Sequence, residues 1–241
     1  MASRLPKGNC RLCGRFEPLT FEHVPPKRCF NKKQRFLRLV GNGIFARTGE
    51  HTSFRRGTGF HSFCERCNAW TARWYGDAFA DWTVQGQEYL DKIREERRVY
   101  IPFTIKPLNV IKQIATMVLA VSGSGTDLAP LQRFVGNVTA KSFPHPCRAY
   151  TYLNREGAVI APHMMAVDTA KGRFVNVVAE ISVPPLGYCV VADDEDSRKD
   201  ADEKNLCDIT RFGDYEFEQL DCVWLKLAQL RPGGTYPMDY R

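Results

Sequence analysis

Cys10-Arg11-Leu12-Cys13, near the start of the chain, and Cys64-Glu65-Arg66-Cys67, further along, give two pairs of thiols at a spacing that lets both sulfurs of a pair face one ion. Four thiolates at about 2.3 Å make a closed tetrahedral zinc site, which holds structure and keeps no position for substrate. Between the pairs lies Glu22-His23 in FEHVPPK, and Asn68 follows Cys67 directly. A zinc ion bridging the pairs would bring the acid–histidine dipeptide beside Asn68. An imidazole with its ordinary pKa of about 6.5 takes a proton from water at neutral pH. Oxygen ligands such as Glu22 and Asn68 suit Mg²⁺ or Mn²⁺, whereas thiolates suit Zn²⁺. A hard divalent ion can clamp a phosphate oxygen and a leaving oxygen. These residue types point to metal-dependent hydrolysis of a phosphodiester, with zinc holding the frame and magnesium or manganese serving the chemistry.

The elements that must position these groups are short. Residues 19–24 (LTFEHV) read as a strand that ends at Pro25-Pro26, and residues 59–63 as a second strand. Strand alternation puts Glu22 and Val24 on one face and Phe21 and His23 on the other, unless a kink or bulge turns both toward one site. Helical composition begins near Glu65, runs through Asn68, Trp70, Arg73 and Trp74, and ends or bends at Gly76. Trp70, Trp74 and Trp82, spaced by four and eight, mark an apolar helix face for core packing. The order is strand, long basic loop, strand, helix.

Zinc knuckle, Glu-His-Val-Pro, then Cys-x-x-Cys-Asn at a helix start resembles the HNH endonuclease family in residues 8–80, in the variant with EH for DH and CN for CH. The resemblance implies a ββα-metal fold. It implies that His23 is the general base, that Glu22 binds a divalent ion, and that Asn68 completes that metal site. The family's middle asparagine orients the histidine; Asn31, Asn42, His51 and His61 are its candidates here. His61, three residues before Cys64, is also a candidate zinc ligand or second active-site imidazole. Asp77 follows the helix as a helix-end acid.

The charge distribution agrees with a phosphate-bearing partner. The net charge is +7, yet residues 1–75 hold 15 Lys and Arg against 4 Asp and Glu, and the rest is net acidic. Lys27, Arg28, Lys32, Lys33, Arg35, Arg38, Arg47, Arg55 and Arg56 populate the loop and its flanks, where they would track a phosphate backbone without reading sequence. The expected partner is DNA, double-stranded. A zinc-stabilised module that grips nucleic acid without cutting it is the alternative. Nine cysteines, five of them scattered singly (Cys29, Cys147, Cys189, Cys207, Cys222), argue for a reduced compartment and buried thiols rather than a disulfide scaffold. No apolar run reaches the roughly 20 residues of a membrane helix, and the N-terminus has no apolar leader. A cytoplasmic location without membrane attachment is the expectation.

The composition shifts near residues 95–107, which divides the chain into an HNH-like nuclease domain (1–98) and a second domain (99–241). Pro107 opens a helix that runs to Val121 and stops at Ser122-Gly123-Ser124-Gly125; a shorter helix spans 128–135. From Cys147 the pattern is strands, with residues 147–153 and 158–167 flanking a hairpin turn at 154–157. Further strands occupy 174–183, 186–192 and 221–230, and the charged segment 193–204 reads as a solvated loop. The fold class is α+β: a ββα-metal nuclease module, then an α+β domain with a mostly antiparallel sheet and one or two helices. The second domain has no motif tied to chemistry and would sense a signal, bind a protein partner or form a homodimer. A compact nuclease with an appended module is the layout of bacterial defence effectors and toxins.

Overall fold

The computed structural model describes residues 5–31, 35–39, 51–54, 57–93, 96–123, 128–155, 157–168 and 173–230, with the backbone alone at 35–39, 51–54, 162–168 and 173–175. The fold is α+β. Near the N-terminus, β1 (Lys7–Asn9), β2 (Phe16–His23) and β5 (Gly59–Cys64) form a small antiparallel sheet in the order β1-β2-β5. Cys64 caps α1 (Glu65–Thr71), which continues through one π-helical turn (Ala72–Gly76) into α2 (Asp77–Lys92). Gly76 keeps helical backbone angles, so the chain changes helical pitch there without stopping.

The segment between His23 and Cys64 is not a single loop. It holds β3 (Arg35–Leu39) and β4 (His51–Phe54), which pair with each other. β3 also runs parallel to β8 (Val159–Asp168), so it joins the large sheet of the second half of the chain. That sheet has the order β4-β3-β8-β9-β10-β7-β12-β6, with β11 (Cys207–Asp208) paired to β7 off this path. The remaining strands are β6 (Arg98–Ile105), β7 (Cys147–Asn154), β9 (Arg173–Val183), β10 (Leu186–Ala192) and β12 (Asp221–Leu230).

Two expectations need correction. Residues 154–157 do not close a hairpin, because β7 pairs with β10 while β8 pairs with β9. The connection between β7 and β8 carries the chain past two strands, and turn residues alone do not name a strand's partner. The hairpin lies instead at Pro184-Pro185, where β9 meets β10. The charged segment is a helix, α5 (Glu195–Glu203), rather than a loop. The Asp194 side chain accepts the Ser197 N–H at 2.7 Å as its N-cap. Lys199–Glu195 and Lys204–Asp200 pair one turn apart, and Ala201 is buried against the sheet.

α3 (Pro107–Val121) is buried along its whole length, which suits its almost uninterrupted apolar sequence. With α4 (Ala129–Gly136) it sits between the zinc-motif region and the large sheet. Trp82 on α2 is fully buried and packs its ring against Phe79, Phe103, Tyr188 and Phe212. Trp70 and Trp74 are half-buried on the same helical run. One cluster of buried side chains therefore extends from Cys10 to Leu227 and crosses residue 98 without a break. Among the described residues, no helix is long and apolar enough to cross a membrane.

Candidate active site and metal centre

The thiol frame comes together. The sulfurs of Cys10, Cys13, Cys64 and Cys67 all lie within 4.8 Å of one another. Cys13 and Cys64 Sγ are 3.9 Å apart, close to the roughly 3.8 Å edge of a tetrahedron with zinc–sulfur bonds of about 2.3 Å. Cys10, Cys64 and Cys67 are buried. The knuckle turn is closed by Gly14 N–H to Cys10 O (2.8 Å), with Gly14 at φ +73°. Burial opposes ionisation of Cys10, but backbone N–H groups of Cys13, Cys64 and Leu12 outweigh it and bring its pKa down. Burial, and then the charge on Cys10, drive Cys67 up. The frame thus favours one thiolate by itself, and a dication is what allows four to ionise together. The donor set fits a structural metal such as zinc. His61 is not part of this cluster, so it is not a zinc ligand.

A bulge joins the metal frame to the strands. In β2–β5, Thr20 pairs with Phe63 and Phe21 with His61, leaving Ser62 as the extra residue. The Ser62 carbonyl accepts the Arg11 N–H at 2.9 Å, which fastens the knuckle to the β2–β5 strand pair. Arg11 in turn docks the knuckle on the helices, donating to Ala120 O while its own carbonyl accepts from Gln132 Nε2.

Beyond the bulge the alternation holds. Phe21 packs its ring edge-on against His23 (5.0 Å between centroids) and against His61 (5.4 Å), so the three rings share one face. His61 Nδ1 lies 3.1 Å from Leu19 O. The Phe21 ring lies across Gly59, where a Cβ would meet the ring at 2.5 Å and the Glu22 carbonyl at 2.2 Å. Glu22 and Val24 are buried on the opposite side. Desolvation alone pushes the Glu22 carboxyl up to about 8, as expected for an acid that has lost water without gaining a partner. The expectation that a kink would turn the acid and the imidazole to one side is not met, because the bulge falls before the dipeptide rather than after it. Asn68, in the first turn of α1, donates its side-chain amide to Thr20 Oγ1 at 2.9 Å and to Phe21 O at 3.4 Å. Its Oδ1 has no partner among the described residues.

Of the candidates for the middle asparagine, Asn31 has a defined place. It is fully buried and bridges the two strand ends just past His23, donating Nδ2 to Pro25 O (2.7 Å) and Thr58 O (2.8 Å). Its Oδ1 accepts the Thr58 N–H at 2.8 Å. Asn42 lies outside the described residues, and of His51 the backbone alone is described. The sequence did not single out Phe21 as the spacer between the two imidazoles. The signal was available in the two-residue spacing of Phe21 and His23, but the bulge that aligns His61 with them was not.

The basic residues divide. Lys27 is exposed, whereas Arg28 is paired with Asp77 at the start of α2. Lys32, Lys33, Arg47, Arg55 and Arg56 lie outside the described residues, and for Arg35 and Arg38 only the backbone in β3 is described. No protein-family model, curated protein or solved structure matches this chain.

Proposed function

We propose that this chain is an HNH-type, metal-dependent endonuclease that hydrolyses DNA phosphodiester bonds. The observation that carries the reading is the placement of Asn68: the four-sulfur cluster fixes the start of α1 so that its amide is bonded to the very strand that bears Glu22-His23. His23 takes the part of general base. Its ring is held by Phe21 on one side, on a strand whose end is clasped by Asn31. Asn31 is accordingly the middle asparagine of the motif, a positioning residue rather than a catalytic one.

The second ion would be Mg²⁺ or Mn²⁺, held by Asn68 Oδ1 and by Glu22, whose buried carboxyl would give up its proton on binding it, and the ion would stabilise charge on the phosphate. Both groups fit that part: among the described residues, the Asn68 oxygen accepts no hydrogen bond and the buried Glu22 acid has no compensating cation. The strand's alternation gives the dipeptide two separate tasks. Because the imidazole and the carboxylate lie on opposite faces of the strand, the strand end beyond the bulge must turn when metal and DNA bind, so that one phosphate reaches both. Lys27 and the cations of residues 32–56 (Lys32, Lys33, Arg35, Arg55, Arg56) supply backbone contacts to duplex DNA.

Zinc-loaded protein incubated with supercoiled plasmid is expected to nick it only after Mg²⁺ or Mn²⁺ is added. His23→Ala should lower that rate by about 100-fold or more while zinc content and plasmid binding persist. Nicking by His23→Ala at the wild-type rate would remove the mechanism. Plasmid binding without nicking in any metal would favour the non-catalytic alternative.

A further inference from the structure

The outer face of the β6–β12 pair is built unlike the rest of the sheet. Among the described residues, β6 is the last strand of the sheet and pairs only with β12. The register sets Arg98 opposite Ala228, Tyr100 opposite Lys226, Pro102 opposite Trp224 and Thr104 opposite Cys222. These residues therefore share one face. The intervening Ile101, Phe103, Val223, Leu225 and Leu227 are buried on the other. On the outer face Tyr100 is 64% exposed and Trp224 48% exposed, and their rings are stacked at 5.0 Å and 27°. A stacked pair left this exposed is costly hydrophobic surface.

Two further observations give this surface a chemistry. Arg98 and Lys226 flank the rings, are exposed, and have no ion-pair partner among the described residues. They also line an adjoining shallow pocket of about 230 Å³, whose opposite wall is the end of α5 with Asp202, Asn205 and Leu206. Unpaired cations beside exposed rings match an anionic, aromatic ligand. The site is open along the strands rather than enclosed, which suits one unit of a polymer better than a free small molecule.

We propose that this face binds single-stranded nucleic acid, with bases stacked on Tyr100 and Trp224, the backbone held by Arg98 and Lys226, and one base seated in the pocket. Aromatic platforms with flanking cations grip single strands through the π-faces that every base has, largely regardless of sequence. Duplex DNA keeps its bases stacked on each other and offers the rings nothing. The proposal does not rest on the nuclease reading.

The test is fluorescence anisotropy with labelled dT20, U20 and a 20-base-pair duplex, in buffer without Mg²⁺ or Mn²⁺ so that cleavage plays no part. The expected result is that the wild type binds a single strand, with the dT20 and U20 arms separating DNA from RNA. Trp224→Ala and Tyr100→Ala should each weaken that binding by about tenfold, leave duplex binding unchanged, and Trp224→Phe should restore most of it. Arg98→Ala and Lys226→Ala should each lower the salt slope, d log K/d log[salt], by about 0.7. All four side chains are exposed, and unchanged zinc content and melting temperature would establish that the variants fold. Equal single-strand affinity in Trp224→Ala and Tyr100→Ala overturns the proposal. So does a wild type that ignores both oligonucleotides, including one that instead dimerises through Trp224 in sedimentation. Plasmid nicking that fails while single-strand binding holds would sink the nuclease reading alone.

Discussion

Asn31 and Thr58 are locked together across the end of the β2–β5 strand pair. The Asn31 amide donates to Thr58 O and accepts from Thr58 N, while Thr58 Oγ1 donates to Val24 O at 2.6 Å. Gly57 makes room for this clasp: it sits at φ +91°, and a Cβ there would come within 2.1 Å of the Asn31 carbonyl. Replacing Asn31 with Ala would leave two buried backbone groups without partners (Pro25 O and Thr58 N), while Thr58 O keeps the Val24 N–H. The expected cost is about 3 kcal/mol in urea unfolding, given about 1–3 kcal/mol for each orphaned group after partial relaxation. Asn31→Asp should do no better, since it keeps the acceptor and turns a carboxylate on two carbonyls. Because the clasp ends one residue beyond His23, plasmid nicking should fall in both variants even where most of the protein is folded. An unfolding midpoint within error of the wild type in Asn31→Ala would refute the positioning role.

The site was legible where it depended on local spacing. CxxC pairs, the strands read at 19–24 and 59–63 (found at 16–23 and 59–64), and the helix starting at Glu65 follow from patterns a few residues long. The helix over Pro107–Val121 was equally plain, because a proline opens it and its sequence is apolar throughout. What stayed hidden was long-range. Nothing in residues 35–54 says that two strands there will join a sheet made by residues 98–230. Nothing in the turn at 154–157 says that β7 will take β10 as its neighbour in place of β8. The bulge at Ser62 was hidden for a different reason: it depends on the register between two strands, and a single strand's sequence does not state its register. α5 was missed because its residues are almost all charged, and its support is a cap and ion pairs rather than an apolar stripe.

The metal frame predicts a sharp contrast between cysteines. Cys64 both caps α1 and supplies a sulfur 3.9 Å from that of Cys13, while Cys222 is exposed on β12. Cys64→Ser should release bound zinc, measured with a chromophoric chelator, and lower the melting temperature by about 10 °C or more, since metal-binding energy is folding energy in such sites. Cys222→Ser should keep full zinc stoichiometry and melt as the wild type does. Full zinc retention in Cys64→Ser would mean that the four sulfurs do not share an ion.

Arg28 and Lys27 are adjacent in sequence but not equivalent. Arg28 is already paired with Asp77, with both side chains about two-thirds exposed (68% and 70%), whereas Lys27 is exposed and has no ion-pair partner among the described residues. An exposed pair of this kind contributes about 0.5 kcal/mol or less to stability. Lys27→Ala should therefore weaken duplex binding and reduce its salt slope by about 0.9, the value for one phosphate contact. Arg28→Ala should change the slope less and leave stability nearly unaltered. A larger loss of slope for Arg28→Ala than for Lys27→Ala would show that the ion pair opens to the nucleic acid.

Lys112 gives the fold a dependence on pH that is separate from the metal site. Its side chain is fully buried in the middle of α3, and Nζ donates to Phe134 O and Asn137 O at the end of α4. Burial brings its pKa from 10.5 down to about 7. A neutral amine has two N–H groups, enough to satisfy both carbonyls, so the uncharged form fits the site. In the unfolded chain the amine keeps its proton up to about pH 10.5. Between these two values the unfolded state binds more protons than the folded state, so stability rises with pH, by at most about 1.4 kcal/mol per pH unit from this group. Below pH 7 both states are protonated and the full penalty of a buried ammonium is present. Lys112→Met removes the titration and leaves the two carbonyls unpaired. Urea unfolding at pH 7, 8 and 9 should therefore show the wild type gaining on Lys112→Met by about 2 kcal/mol across that range. Parallel stability curves for the two proteins would place the Lys112 charge in the folded state throughout, held there by the same two carbonyls and the face of the Phe134 ring 3.9 Å away.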